Sequence, residues 1–377
     1  MVGGAWQGGL MPTVIRLALA AAGATLLTAC STGEPAAAPA VDPVPSVSVP
    51  SVPAPPSGSA ASAGLPDLTA EPETIATGIQ VPWGLAFRPD GSALVAERQT
   101  GDIFQLRPGA AKKKVYTVPG VRAGGEGGLL GLAVRDDWVF AYLTGDDDNR
   151  IVRFRLTGGD PEVIFKGLDR GPRHNGGRLA FGPDGMLYVG TGDAGDEPQS
   201  QDRDDPNGKI LRLTLEGKPA PGNPWPGSPV WSLGHRNVQG LAWDAQGRMY
   251  GIEFGQNTWD EVNVIQPGKN YGWPEVEGKA GNPKFTDPIV QWGTDDASPS
   301  GAAVAGTTLY VAALKGERLW AVPLGGGTAK AELDQKFGRL RTVAVAPDGS
   351  LWLTTSNTDG RGDPRDGDDR ILRFPAR

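Results

Sequence analysis

Short runs of apolar residues recur along most of the chain, and each is followed by a turn and a second apolar run. Three of these copies, such as GLAFRPDGSALVAE at 84–97, contain Pro-Asp-Gly at the turn. Asp-Gly between two alternating runs is a strong signal for a β-hairpin. The pattern therefore predicts a repeated hairpin, and its copies are residues 84–97, 131–145, 178–193, 240–255, 301–316 and 342–357.

The hairpins follow one another at intervals of roughly 40 to 60 residues, which is typical of the blades of a β-propeller. The matching apolar positions in the first strands are Leu85, Leu132, Leu179, Leu241, Ala302 and Val343. We therefore predict an all-β fold, a six-bladed β-propeller over residues 68–377 that is preceded by a disordered N-terminal segment. The longer third and fourth intervals leave room for inserted loops.

The N-terminal region has a different pattern. Residues 17–29 form an apolar run behind Arg16 that is too short to span a bilayer and is typical of a secretion signal. The run ends in Leu-Thr-Ala-Cys, which resembles the bacterial lipobox, whose cysteine is acylated; the alternative is an ordinary cleavage site with an incidental cysteine. We expect residues 1–29 to be a lipoprotein signal peptide and Cys30 to anchor the secreted protein to the outer face of the cytoplasmic membrane.

Residues 30–67 are rich in Ala, Pro, Ser and Val, and residues 31–66 have no aromatic side chain. Such a stretch cannot bury enough apolar surface to offset the entropy lost on ordering. We predict a disordered linker that holds the propeller away from the membrane.

Composition narrows the possible functions. With 56 Gly and 34 Pro, the chain has no stretch that suits a coiled coil or a helical bundle. A net charge of −7 argues against nucleic-acid binding, which needs a basic surface. The single Cys excludes a disulfide within the chain and any metal site that needs several thiolates.

Polar residues stand at matching places beside the hairpins. If the third hairpin turns near Asp184, strand pairing brings His174 and Asp193 together at its open end. A histidine that is oriented by a carboxylate is an arrangement for general acid–base catalysis, although an oriented structural histidine is the alternative. Equivalent positions in the other copies form a ring around the axis, and loops at the end of a rigid scaffold often carry function.

Four cations near the ends of the hairpins could hold an anionic planar ligand, since guanidinium groups suit carboxylates. Two of them, Arg339 and Arg341, are two residues apart on a strand and therefore share a face. Ordinary surface charge is the alternative interpretation. The four candidates are Arg236, Lys315, Arg339 and Arg341.

The stretch from Glu253 to Glu261 is rich in oxygen donors, which are the ligands that calcium takes. It does not match the loop of an EF-hand. From its spacing alone, we expect a solvated acidic loop rather than a calcium site.

Several longer segments resemble the soluble PQQ-dependent sugar dehydrogenases, the group that contains the glucose/sorbosone and aldose sugar dehydrogenases. The resemblance extends over about residues 75–375, and this family is a six-bladed propeller. The segments are HNGGRLAFGPDGMLYVGTGDAGD (174–196), GHRNVQGLAW (234–243), DEVNVIQPGKNYGWPEVEG (260–278), LKGERLW (314–320) and GRLRTVAVAPDG (338–349).

The resemblance implies that the protein oxidises an aldose at C1 to the lactone with PQQ and calcium. His174 matches the catalytic base that takes the proton of the C1 hydroxyl while hydride passes to the quinone, and Asp193 matches the carboxylate that orients it. Residues that match cofactor contacts are Arg236, Asn237, Lys315, Arg339, Arg341 and Trp292. Residues that match calcium ligands are Gly255 and Gln256 for the cofactor's ion, and Glu261 and Tyr271 for a second, structural ion.

Three positions depart from the family pattern. Glu126, beside the cofactor or the sugar, stands where Gln is usual; Phe254 replaces Gln or His, and Gln256 replaces Pro. Two other functions remain open, a non-catalytic ligand-binding propeller and a metal-dependent lactonase. The lactonase would need carboxylates and Asn side chains that converge on calcium. The sequence names neither the sugar nor the electron acceptor.

Overall fold

The computed structural model describes residues 64–377 and a two-residue strand, Ala40–Val41. The expected signal peptide, Cys30 and most of the expected linker lie outside the described residues. Within the part that is described, no helix has the length and apolar character needed to cross a bilayer.

The described chain forms six four-stranded antiparallel sheets, which are the blades of a propeller, so the predicted fold class is confirmed. One 3-10 helix, Glu197–Gln201, lies in the third blade. The strands in chain order are β1 (Ala40–Val41), β2 (Glu73–Thr77), β3 (Pro82–Phe87), β4 (Ala93–Glu97), β5 (Asp102–Leu106), β6 (Lys113–Thr117), β7 (Leu129–Arg135), β8 (Trp138–Thr144), β9 (Asn149–Phe154), β10 (Glu162–Leu168), β11 (Arg178–Phe181), β12 (Leu187–Gly190), β13 (Lys209–Leu213), β14 (Val230–Leu233), β15 (Val238–Trp243), β16 (Met249–Glu253), β17 (Trp259–Ile265), β18 (Val290–Gly293), β19 (Pro299–Ala305), β20 (Thr308–Ala313), β21 (Arg318–Pro323), β22 (Gly327–Thr328), β23 (Lys330–Glu332), β24 (Leu340–Val345), β25 (Leu351–Thr355) and β26 (Arg370–Phe374).

Each blade runs outward from the propeller axis. The first four blades are β3–β6, β7–β10, β11–β14 and β15–β18; the fifth is β19, β20, β21 and β23. The first strands of neighbouring blades contact one another and surround the axis. The repeated hairpin of the sequence is therefore the inner half of every blade.

The sixth blade joins the two ends of the described chain. Strands β24, β25 and β26 come from the C-terminal end, and β2 from the other end completes the sheet. In the pairing of β2 with β26, Glu73 lies opposite Arg373 and Thr77 lies opposite Arg370. The ring of blades is thus closed by hydrogen bonds between strands almost 300 residues apart.

The core lies between the blades, because each inner sheet is covered on both faces by its neighbours. Every residue of β4 and of β16 is buried, which explains why these strands are mostly apolar rather than alternating. Between the fourth and fifth blades, Trp292 stacks on Trp320 with ring centroids 5.3 Å apart. Burial of such apolar surface contributes roughly 25 cal/mol per Å².

The Pro-Asp-Gly turns close the inner hairpins at one end of the propeller. In the third blade, the Asp184 carboxylate accepts the Met186 N–H at 3.1 Å, and Gly185 has φ of 78°. This left-handed conformation favours glycine, which explains the Asp-Gly pair. The opposite, open ends of the hairpins carry the candidate site.

Candidate active site

His174 and Asp193 meet at the open end of the third blade. His174 precedes β11 and Asp193 follows β12, and Nδ1 of the imidazole lies 2.7 Å from Oδ1 of the carboxylate. The backbone is held there as well, because Ala194 N–H donates to the His174 carbonyl at 3.1 Å. Both side chains are buried. The strand pairing thus produces the juxtaposition that the hairpin spacing predicts.

Three donors surround the Asp193 carboxylate. Besides His174, it accepts the Gly195 N–H at 2.8 Å and the indole N–H of Trp273 at 2.9 Å. Burial acts to raise the pKa of Asp193, but its hydrogen bonds with His174, Gly195 and Trp273 outweigh it and lower the pKa. An ionised Asp193 favours the proton on Nδ1 of His174, which leaves the Nε2 lone pair available. No described residue hydrogen-bonds to that Nε2 atom.

Glu126 supports the histidine from the second blade. Its Oε2 accepts the His174 backbone N–H at 2.8 Å, and its Oε1 accepts a hydrogen bond from Arg361 at 3.0 Å. Burial acts to raise the pKa of Glu126, yet the His174 N–H and the Arg361 charge lower it overall. The carboxylate therefore stays ionised and holds a backbone whose φ at His174 is 57°.

A solvent-connected pocket opens beside Glu126. Residues of the first, second, fourth, fifth and sixth blades line it, so it lies on the propeller axis. The lining residues are Trp83, Arg98, Gly125, Glu126, Gln239, Phe254, Leu314, Arg341, Asp359 and Arg361.

Arg339 and Arg341 share one carboxylate oxygen at this pocket. Nη2 of Arg339 lies 3.1 Å and Nη2 of Arg341 lies 3.3 Å from Oδ2 of Asp359. Burial, together with the charge of Arg98, lowers the pKa of Arg341 to about 9. Burial acts to raise the pKa of Asp359, but the two guanidinium groups outweigh it and lower the pKa. The predicted pair of cations is present, with an acidic partner that the sequence analysis did not anticipate.

Arg236 is fixed on three sides. Its Nε and Nη2 atoms donate to Oε1 of Gln256 at 3.0 and 2.5 Å, and its guanidinium lies 5.4 Å from the centre of the Trp273 ring. Its backbone N–H donates to Glu253 at 2.9 Å. The side chain of Gln256 therefore orients Arg236.

Asn237 carries an unused donor. Its Oδ1 accepts the Gly176 N–H at 3.0 Å, whereas its Nδ2 is buried without a partner among the described residues. Buried polar groups are almost always hydrogen-bonded, so an unpaired amide at the open end of the blades fits a ligand that accepts its hydrogen bond.

Two expected cofactor contacts do not line the axial pocket. Lys315 is 57% exposed and pairs with Asp295, although its neighbour Leu314 lines the pocket. Trp292 lies in β18, the outermost strand of the fourth blade, and packs in the core against Trp320. The structure therefore does not bring Trp292 to the pocket, whose aromatic lining is Trp83 and Phe254.

The N–H groups of the loop after β16 donate to acidic side chains. The Gly255 N–H donates to Asp260 at 2.9 Å, and the N–H groups of the next three residues all donate to Oε1 of Glu277. No described residue donates to the carbonyl oxygens of Gly255 and Gln256. Oxygen atoms of this kind suit a hard cation such as calcium.

The described residues contain no group of three or more His, Cys, Asp or Glu side chains arranged to hold a metal ion. A cation at the Gly255 loop would therefore take its remaining ligands from water or from a bound molecule. This arrangement also lacks the converging carboxylates that a metal-dependent lactonase needs.

The acidic stretch from Glu253 to Glu261 is not a solvated loop, so that expectation is wrong. Glu253, Asp260 and Glu261 are all buried, because the stretch includes the end of β16 and the start of β17, the two middle strands of the fourth blade. Burial raises the pKa of Asp260 to about 7. Burial and the nearby Glu253 raise the pKa of Glu261 to about 8.

The side chains of Glu261 and Tyr271 form hydrogen bonds with other residues of the protein. Glu261 accepts the Gly278 N–H at 2.6 Å and an amide hydrogen of Asn263 at 3.0 Å. The Tyr271 hydroxyl donates to the Val264 carbonyl at 2.7 Å. Both residues line a second, smaller pocket next to the Gly255 loop.

Several site residues were not predicted from the sequence. Trp273 lies in the Asn-Tyr-Gly-Trp-Pro segment, and its contact with Asp193 is visible only in three dimensions. Arg98 is adjacent to a position in the predicted ring, so the repeat spacing could have indicated it. Asp359 and Arg361 follow the last copy of the repeat, in the loop between β25 and β26, which lies outside the repeated hairpin.

Comparison with known proteins identifies the family. The family profile described as Glucose / Sorbosone dehydrogenase matches residues 79–372. Aldose sugar dehydrogenase YliI of Escherichia coli is 28% identical over 343 residues, which cover 78% of this chain and 91% of that protein. Quinoprotein glucose dehydrogenase B of Acinetobacter calcoaceticus is 32% identical over 251 residues, covering 55% of this chain and 52% of that protein.

A solved structure is more similar still. The PQQ-bound form of aldose sugar dehydrogenase from Streptomyces coelicolor is 53% identical and superimposes with a TM-score of 0.78, covering 81% of this chain and 97% of that one. Together with the profile match over most of the chain, this similarity shows that the chain belongs to the glucose/sorbosone dehydrogenase family.

Proposed function

We propose that the protein is a PQQ- and calcium-dependent dehydrogenase that oxidises an aldose at C1 to the lactone, with His174 as the general base. The observation that carries the proposal is the buried His174–Asp193 pair, whose Nε2 atom has no partner among the described residues. The relatives that are named for PQQ, aldose sugars and glucose support the choice of cofactor and substrate class.

The residues present fit a planar cofactor that carries several carboxylates. Arg236, Arg339 and Arg341 would hold its anionic groups, with Lys315 at the edge of the site. Asn237 offers a buried amide hydrogen that no described residue accepts. The free carbonyls of the Gly255 loop would hold the calcium ion. When bound, the quinone accepts hydride and the calcium ion acts as a Lewis acid, which is chemistry that no side chain supplies.

The side chains perform the proton transfer. Nε2 of His174 takes the proton of the C1 hydroxyl, while Asp193 holds the Nδ1 proton and stabilises the imidazolium that forms. Trp273 and Gly195 keep Asp193 ionised through their hydrogen bonds. Glu126 fixes the backbone that carries the base. A positioned base of this kind accelerates a reaction by roughly 10² to 10⁴.

Reconstitution tests this function. Apo-protein mixed with PQQ and calcium should oxidise aldoses with an artificial dye as the electron acceptor, and omission of either component should abolish the activity. His174→Gln should bind PQQ with unchanged affinity and lose at least a hundredfold in kcat, following the contribution of a general base.

Two results would overturn the proposal. A His174→Gln variant that oxidises sugar normally would show that His174 is not the general base. Absence of activity with every aldose, together with no rise in melting temperature on adding PQQ, would favour a non-catalytic propeller.

Calcium analysis of the holo-protein tests the second ion proposed at Glu261 and Tyr271, which requires more than one bound calcium per chain.

We also propose that Cys30 is acylated, and that residues 30–67 connect the membrane surface to a catalytic domain over residues 68–377. The lipobox-like sequence and the composition of the following stretch support this arrangement. In a bacterial host, the full-length protein should sediment with membranes and Cys30→Ala should be soluble in the same fractionation. A Cys30→Ala variant that stays with the membranes would contradict the lipid anchor.

A further inference from the structure

Arg98 is a buried cation that has no hydrogen-bond or ion-pair partner in the part of the chain that the structure describes. It follows β4 directly, lines the axial pocket and is only 4% exposed. Among the described residues, none accepts a hydrogen bond from its guanidinium or forms an ion pair with it, and its Nε atom is completely buried. Since an unpaired buried charge is costly, such a group in a binding pocket indicates a missing anionic partner.

The nearby carboxylates are already used by other groups. Oδ2 of Asp359 accepts hydrogen bonds from Arg339, Arg341 and the Ser356 hydroxyl. Glu126 accepts the His174 N–H and a hydrogen bond from Arg361. Neither acid forms a hydrogen bond or an ion pair with Arg98, although both negative charges act to raise its pKa.

The pocket consequently has an excess of positive charge. Arg98, Arg341 and Arg361 face two carboxylates across its walls, and Arg339 lies beside them on the same acid. Burial is the main cause that lowers the pKa of Arg98, which agrees with a guanidinium held in place without full compensation.

We propose that Arg98 binds a carboxylate of the ligand that occupies the axial pocket. A guanidinium presents two parallel donors that match the two oxygens of a carboxylate. The inference rests on the proposed function, because that function supplies two sources of a carboxylate, the quinone cofactor and an acidic sugar substrate.

A purely structural role for Arg98 makes a different prediction. Its aliphatic stem lies close to Gly128, where an added Cβ atom would approach Cγ of Arg98 to 2.7 Å. If packing were the reason for Arg98, shortening it would destabilise the empty protein. If ligand binding is the reason, removal of an unpaired charge leaves the melting temperature of the apo-protein unchanged or raises it.

The test compares Arg98→Gln and Arg98→Lys with a control, Arg107→Gln. Arg107 is 46% exposed and pairs with Asp90 in a hairpin turn, away from the pocket. Titration of PQQ, followed by tryptophan fluorescence in the presence of calcium, gives the Kd of each variant. We expect Arg98→Gln to raise the Kd by roughly ten- to a hundredfold, in line with loss of a hydrogen bond between charged groups, and Arg107→Gln to have no effect.

A second arm identifies the source of the carboxylate. If the Kd for PQQ is unchanged in Arg98→Gln, the ratio of KM for glucuronate to KM for glucose should rise by a similar factor, which assigns the carboxylate to the sugar. Arg98→Lys keeps the positive charge. Its Kd for PQQ, or its ratio of KM for glucuronate to KM for glucose, should therefore rise less than that of Arg98→Gln.

The proposal is overturned if neither the PQQ affinity nor the preference for the acidic sugar changes. It is also overturned if the apo-protein of Arg98→Gln melts well below wild type, since that result assigns Arg98 to packing. Wild-type protein that binds no PQQ would refute the proposed cofactor but not the role of Arg98, because a glucuronate-dependent rise in melting temperature that is lost in Arg98→Gln would still support it.

Discussion

Nδ1 of His174 lies 2.7 Å from Oδ1 of Asp193, although 19 residues separate them in the chain. The register of the third blade explains this distance, because β11 and β12 pair so that Arg178 lies opposite Gly190. Extending that register beyond the strands brings the two side chains to one end of the hairpin. The acid and the base are thus positioned by an ordinary turn of the repeat, and each can be tested separately.

Asp193→Asn should lower kcat by roughly 10² to 10⁴ with little change in PQQ affinity. The amide would no longer provide a charged acceptor for Nδ1, so the histidine would lose the tautomer that exposes its Nε2 lone pair. Steady-state kinetics with saturating PQQ and calcium measure the effect. Asp196→Asn, an exposed neighbour, serves as the control, and an equal loss in both variants would indicate a general disturbance of the loop.

Glu126→Gln and Glu126→Ala should behave differently. Gln keeps an oxygen that accepts the His174 N–H, so we expect activity within a few-fold of wild type and a changed KM for the sugar. Ala leaves a buried N–H without an acceptor, which costs about 1–3 kcal/mol of unfolding free energy and loosens the base. Urea denaturation and kinetics together check this, and two variants with equal kcat would contradict a positioning role for the carboxylate.

Gln256→Ala should remove the side-chain hydrogen bonds that hold the Arg236 guanidinium in place. The loss of hydrogen bonds to a buried guanidinium should lower the unfolding free energy by about 1–3 kcal/mol and weaken PQQ binding. The Gln256 carbonyl is part of the backbone, so the calcium concentration needed for reconstitution should stay the same. Gln256→Glu restores an acceptor and should recover the stability; if it does not, Arg236 is held by other contacts.

Lys209 should make the free energy of unfolding rise with pH in the alkaline range. Its ammonium is buried, donates to the carbonyls of Gln199 and Asn207 at 2.7 and 2.6 Å, and has its pKa lowered by burial to about 8. The unfolded chain has the ordinary pKa of 10.5, so it binds more protons than the folded chain between these two values. The unfolding free energy attributable to Lys209 therefore increases with pH in this window.

The measurement is the difference in unfolding free energy between wild type and Lys209→Met at pH 7.5, 9 and 10. The unfolding free energy of wild type minus that of Lys209→Met should increase by up to about 1.4 kcal/mol per pH unit. A difference that is independent of pH would show that Lys209 keeps an ordinary pKa in the folded protein.

The fold could be predicted because the inner hairpin of each blade repeats the same local chemistry. Leu85 and Leu179 occupy the same place in β3 and β11, and the Asp-Gly turns follow from a left-handed glycine. The outer strands were not predicted individually, since their sequences lack a common pattern. For example, the residues of β10 are exposed or partly buried except for Leu168, so this strand lacks the continuous burial of β4 and β16.

The site was predictable only where its geometry depends on that repeat. His174 and Asp193 follow from hairpin register, whereas Asp359 reaches its two arginines from the loop between β25 and β26, which lies outside the repeated hairpin. The Glu253–Glu261 stretch was misjudged because local composition does not reveal that it continues into buried strands. Trp292 was expected at the cofactor for a similar reason, because only the closed ring shows that Trp83 lines the axial pocket while Trp292 packs against Trp320.

The pairing of β2 with β26 has a consequence for how the enzyme is made. During synthesis, the sixth blade cannot be completed until β26 has been translated, because β2 pairs with β26 across almost 300 residues. The pocket walls contributed by that blade are therefore in place only after the strands of the other five blades have been made. A chain that stops before β26 should yield an open ring that cannot be loaded with cofactor, rather than a shortened but working enzyme.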